Sequence, residues 1–252
     1  MSRPVRGTLD LCRFRDNAMT ESEWLKAADP RPMLEHLRVA CGVTRRKGGR
    51  RKFRLFACNC LRDVWHLLDD ERSRHAVEVA ERYCDNLATA EALETAADSA
   101  QRVLNRSFSN WQAAEAANHV CRTRFDSGNH SSVVHAAISA ATAWARDRPA
   151  STKRPKPGKQ RDAKLAEHAN WLRDIFGNPF RPVTFSPEWR TDTAIALART
   201  MYDSREFSAM PILADALQDA GCDIDDVLNH CRDAEQVHVR GCWVVDLVLE
   251  KE

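Results

Sequence analysis

Alanine sets the terms for this chain. Through residues 89–145 it recurs so often that the segment reads as three consecutive helices with small residues at their contacts, which lets the axes approach closely. Thr89 is placed to open the first helix. Ser109 with Gln112 forms a capping box for the second, and Ser131 or Ser132 opens the third. Nine glycines and two tyrosines in 252 residues weigh further against a sheet. The expected class is all-α: a bundle-like globular protein of about ten helices with no sheet.

The flanking sequence extends the pattern. Residues 1–18 have no usable periodicity and read as a disordered extension. Thr20 with Glu23 is a capping box for a short helix at 20–28, and Asp29-Pro30 caps another that carries Met33, Leu34 and Leu37. Residues 41–52, with RRKGGRRK at their centre, read as a loop. A helix at 52–68 follows, with Phe53, Phe56, Cys60, Val64 and Leu67 on one stripe. Asp69-Asp70-Glu71 places negative charge at the start of the next helix, which buries Ala76, Val77, Ala80 and Tyr83. The basic segment 148–161, with three prolines, is the best internal boundary. The expected organisation is therefore a helical part at 19–147, a linker or loop at 148–161, and a second helical part at 162–252 packed on the first.

Within that second part, a helix at 162–176 ends at Gly177, an extended NPFRPVTFSP connection follows, and Ser186-Pro187-Glu188 begins another helix. Residues 210–249 hold the densest patterning. Ile212, Leu213, Ala216 and Leu217 recur at helical spacing up to a stop at Gly221. Ile224, Val227 and Leu228 mark a short helix after Asp223, and Trp243, Val244, Leu247 and Val248 mark a final one.

A net charge of +2 conceals a gradient. Residues 1–60 carry fourteen Lys and Arg against six Asp and Glu, whereas residues 186–252 carry six against fourteen. Mutual attraction of the two ends within one body is the preferred reading. No apolar run reaches the roughly 18 residues of a membrane span, and no signal-peptide core precedes the body, so the chain is expected to be cytoplasmic and free of membrane. Nine scattered cysteines, mostly within apolar helix patterns, fit reduced and buried thiols.

Four residues could hold zinc: His230, Cys231, His238 and Cys242 lie within thirteen positions. Two facts argue against all four converging. The paired C-x-x-C knuckles of most structural zinc sites are absent, and His230 and Cys231, adjacent on a helix, diverge by about 100°. Cys231 and Cys242 also fit apolar core positions, so the reading without a cofactor is preferred. Cys58 and Cys60 face nearly opposite ways on their helix, and Cys84 and Cys222 sit at helix ends; none is marked as an activated nucleophile. Glu71 with His75 and Glu115 with His119 are spaced by four, where di-iron bundles use three. Phosphate-loop, dinucleotide-binding, His-Glu-x-x-His and Gly-x-Ser-x-Gly motifs are absent.

Two surfaces complete the candidates. Arg45, Arg46, Lys47, Arg50, Arg51 and Lys52 could neutralise nucleic-acid phosphates, but no base-reading element accompanies them and a solvated basic loop is preferred. Trp189, Arg240 and Trp243 are residue types enriched at protein-interaction hot spots and lie beside loops, although Trp243 also fits the core stripe of the last helix.

MTESEWLKAADPRPML at 19–34, RLFACNCLRDVWHLLDDERSRHAVEVAERYCD at 54–85, IFGNPFRPVTFSPEW, MPILADALQDAGC and HVRGCWVVDLVL together resemble a family of proteins numerous in planctomycete-type bacteria. The resemblance covers most of the chain from Met19 onward and implies one continuous unit beginning there. It implies no catalytic residue or cofactor, and the basic segment around 45–52 is longer than the family's loop. The preferred function is thus a non-enzymatic interaction or regulatory module with a protein partner. The alternatives are a metal protein or enzyme centred on His230, His238 and Cys242, and nucleic-acid binding through 45–52.

Overall fold

The computed structural model describes residues 19–104, 111–121, 130–147 and 157–251. These contain twelve α-helices and no strand, so the fold is all-α. The helices are α1 (Glu21–Lys26), α2 (Pro30–Val39), α3 (Lys47–Asp63), α4 (Glu71–Cys84), α5 (Ala90–Leu104), α6 (Trp111–Val120), α7 (His130–Asp147), α8 (Pro157–Phe176), α9 (Asp192–Ser204), α10 (Met210–Asp219), α11 (Asp225–Arg232) and α12 (Trp243–Val248). The extension at 1–18 and the capping box assigned to Ser109 lie outside the described residues, as does 148–156 of the linker. The rest of that linker belongs to α8, which starts at Pro157, because proline is compatible with the first helical position.

Helix α3 is the axle. Every residue from Lys52 to Leu61 is buried, and the helix packs against α4, α6, α7 and α8. Its polar residues enter the interior with partners. Arg54 Nε donates to the Val120 carbonyl at 3.1 Å, and Asn59 Nδ2 donates to the Arg240 carbonyl at 2.9 Å. The basic segment before it is not a loop throughout, as its composition suggests. A 3₁₀ turn occupies Val43–Arg45 and α3 begins at Lys47. Gly49 makes this possible: a Cβ there would lie 2.0 Å from the Val43 carbonyl oxygen, so only glycine lets the turn rest on the helix. At its other end α3 stops at Asp63, and a separate 3₁₀ turn, Trp65–Leu67, carries Leu67 into the core.

Two hydrophobic clusters result. The larger draws on α1 to α8, with Trp24, Phe53, Phe56 and Leu172 fully buried, and the alanines of α5, α6 and α7 line their mutual contacts. The smaller is built from α9 to α12, around Met201, Leu213, Leu217, Val227 and Val244. Between them runs a polar joint. Arg51 of α3 pairs with the fully buried Asp246 of α12 at 2.5 Å and donates to the Tyr202 hydroxyl at 2.8 Å. Tyr202 in turn donates to Asp85 at 2.6 Å, and Asp85 also receives Arg240 at 2.6 Å and Lys251 at 2.9 Å. Arg51–Asp246 is a direct contact between the basic N-terminal and acidic C-terminal parts of the sequence.

Candidate metal centre

The same joint holds a second polar group. Asp174 projects from the last turn of α8, on a face otherwise made of Trp171, Leu172 and Ile175, and is completely buried. Opposite it, α11 presents His230 from its last turn, the following loop presents His238, and Cys242 stands as the N-cap of α12. Gly241 shapes the final approach. Its φ of +99° and the bond from Cys242 N to the Val239 carbonyl, 2.9 Å, form a tight turn of the type that needs glycine at its third position. The turn folds Cys242 back toward His238 and aims the Val239 N–H at Asp174 Oδ2, 2.8 Å away.

The donor atoms converge. His230 Nε2 lies 3.2 Å from Asp174 Oδ1 and 3.2 Å from Cys242 Sγ. His238 Nδ1 lies 2.8 Å from the same Oδ1 and 3.8 Å from the same Sγ. All four ligand atoms fall within 4.8 Å of one another. Bonds of about 2.0–2.3 Å in a tetrahedron give edges of roughly 3.3–3.8 Å; the two 3.2 Å separations and the 3.8 Å one approach this, whereas His238 Nδ1 and Asp174 Oδ1 stand at hydrogen-bond distance. With Cys242 and Asp174 ionised and both imidazoles neutral, the donors carry the two negative charges that a divalent cation cancels.

Electrostatics around the group are severe. Burial pushes the Asp174 carboxyl up, but hydrogen bonding to His230 and His238 outweighs it and holds the group below the usual carboxylate range. Burial, reinforced by neighbouring Asp174, drives the Cys242 thiol well above its ordinary value. A bound cation reverses that balance, since a coordinating thiol is deprotonated outright. Without one, Cys242 is a poor nucleophile and wholly shielded from solvent, so the Cys–His–Asp adjacency is not an accessible catalytic triad. His230 is the most exposed of the four side chains, at 12%, and lines a cleft of about 660 Å³ together with Trp243, Arg46 and Arg173.

The remaining candidates disperse. Cys231 is buried in the smaller cluster, turned away from His230 as helix geometry dictates, and does not join the group. Asp174, 56 residues before His230, takes the fourth place. Arg240 turns away to Asp85 and lies over the Tyr202 ring. Trp189 packs edge-on to Phe185, and half-buried Trp243 sits beside His230 at 5.1 Å between ring centroids, so the three residues proposed as an interaction surface are largely engaged internally.

The six basic residues do not all reach the surface. Arg45, Arg46 and Lys47 are exposed, Lys47 with its ammonium on the Asn86 side-chain oxygen; Arg50 donates to the Thr44 carbonyl, Arg51 is held in the joint, and Lys52 is buried. All eight described cysteines are free thiols. Among the described residues no helix is long and apolar enough to cross a membrane. Comparison of the chain with models of protein families, with curated proteins and with solved structures gives no match.

Proposed function

We propose that this chain is a non-enzymatic helical module stapled by one zinc ion, with Asp174, His230, His238 and Cys242 as its four ligands. One observation carries the reading. Each imidazole directs a single nitrogen at both the carboxylate and the thiol, whereas a relay of hydrogen bonds would use the two ring nitrogens for different partners. Convergence on one point is what a coordinated ion requires. The mixture of one sulfur, two imidazole nitrogens and one oxygen suits zinc. Four protein ligands in a closed setting suit a structural ion, because catalytic zinc keeps a position open for water. The Val239 N–H on the second carboxylate oxygen fixes Asp174 as a one-oxygen ligand, the outer support that metal ligands usually have.

Such an ion would tie α8, rooted in the larger cluster, to α11 and α12 of the smaller one. Its role would be to hold the two sets of helices in register. Metal analysis of protein purified without a tag tests this. About one zinc per chain is expected for the wild type, with loss in Asp174→Asn and in the His238→Ala/Cys242→Ala variant. Wild-type protein that carries no metal, takes none up from a zinc buffer and melts identically with and without chelator would overturn it.

A further inference from the structure

A helix that stacks like charges three and four residues apart is destabilised by them. Lys47, Arg50, Arg51 and Arg54 occupy such positions on α3, and all four line a single cavity of about 450 Å³, with Tyr83 and Lys251 on its other walls. Local frustration of this kind marks places where a sequence serves something other than stability.

The charges in the cavity do not balance. Its two carboxylates are already engaged: Asp85 by Tyr202, Arg240 and Lys251, and Glu250 by Arg190 at 2.8 Å. Arg51 is matched by Asp246. Lys47 and Arg50 are held only by neutral oxygens, the Asn86 side-chain amide at 2.9 Å and the Thr44 carbonyl at 3.1 Å. Among the described residues neither has a carboxylate partner. Behind them Arg54 is buried with its guanidinium over the Tyr83 ring, 4.9 Å from the centroid, and its Nε on the Val120 carbonyl, so Lys47 and Arg50 carry the recognition.

We propose that this cavity binds a small phosphate-bearing anion, recognised chiefly by Lys47 and Arg50. The volume lies within the range of small-molecule sites. Guanidinium and ammonium groups converging on one space match the several oxygens and the multiple charge of a phosphoryl group better than a single carboxylate. A small ligand is favoured over a polynucleotide because Arg51 and Lys52 are internal, so among the described residues the exposed basic run at 45–52 stops at Lys47. The site is separate from the proposed zinc centre, and neither Lys47 nor Arg50 touches that centre's ligands.

Calorimetric titration of the full chain with inorganic phosphate, at ionic strength held constant with chloride, tests the proposal. Saturable binding of one phosphate per chain is expected, weakened about tenfold or more in Lys47→Ala/Arg50→Ala. Arg199→Ala, an exposed cation on α9, should leave it unchanged, and Arg50→Lys, which keeps the charge, should retain most of it. Circular dichroism melts establish that each variant is folded. Non-saturable uptake, or equal affinity in the wild type and the double variant, would overturn the assignment. So would tight binding of a single-stranded oligonucleotide that phosphate fails to displace.

Discussion

His168 gives the sharpest test of how this core is built. It is fully buried on α8, with the Phe56 ring edge-on at 6.4 Å and the Trp171 ring at 4.8 Å, and neither ring nitrogen has a hydrogen-bond partner among the described residues. Burial, with a smaller contribution from the Lys164 ammonium, lowers its pKa from 6.5 to about 3. The unfolded chain takes up a proton that the folded protein refuses, so the full stability is present above pH 6.5 and is lost as pH falls toward 3. A tenfold change in proton affinity is about 1.4 kcal/mol, so the complete loss approaches ~5 kcal/mol, of which about 2 kcal/mol falls between neutrality and pH 5. Urea denaturation of the wild type and His168→Leu at intervals from pH 8 to pH 5 isolates this contribution, because other titrating groups, including the proposed zinc ligands, are common to both. The variant should lose about 2 kcal/mol less than the wild type across that range. It should also be at least as stable at pH 8, having no buried ring nitrogens left unbonded. Parallel pH profiles would refute the reasoning.

Three further outcomes follow from the packing. Asp246→Asn removes the nearer of the two carboxylates beside Arg51, leaving Asp85 at 3.8 Å, and should cost up to about 3 kcal/mol in urea denaturation; a loss below ~1 kcal/mol would mean the pair is not buried as described. Gly49→Ala should lower the melting temperature, since its Cβ would collide with the Val43 carbonyl. A higher melting temperature, which helix propensity alone would give, would contradict the contact of the 3₁₀ turn with α3. Cys231→Ala should keep its zinc while losing stability as a core truncation, and loss of zinc in this variant would place Cys231 among the ligands.

Much of the fold was legible because capping and periodicity are local. Thr20 with Glu23 forms the capping box, Asp29 and Asp70 cap α2 and α4, and α10 stops before Gly221. The start of α3 was not legible, because Gly48 and Gly49 suggest a loop and only the three-dimensional approach of Val43 reveals why a glycine lies inside a helix. The centre was half legible. His230, His238 and Cys242 are close in sequence and their convergence needs only a helix end and a turn. Asp174 is remote, and spacing rules cannot connect it to them. A signal was nevertheless present: a carboxylate among Trp171, Leu172 and Ile175 on the apolar face of a helix must find a compensating partner or a cation. Cys231 misled for the opposite reason, since proximity in sequence on a helix implies divergence in space.

Cobalt(II) titration of metal-stripped protein probes the centre most directly, because absorption reports both the geometry and the sulfur ligand. The account predicts saturation at one ion per chain, with the intense visible bands of a tetrahedral site and a thiolate-to-metal band that vanishes in Cys242→Ser but persists in Cys231→Ala. Weak octahedral absorption with no thiolate band, or a thiolate band indifferent to Cys242, would contradict it.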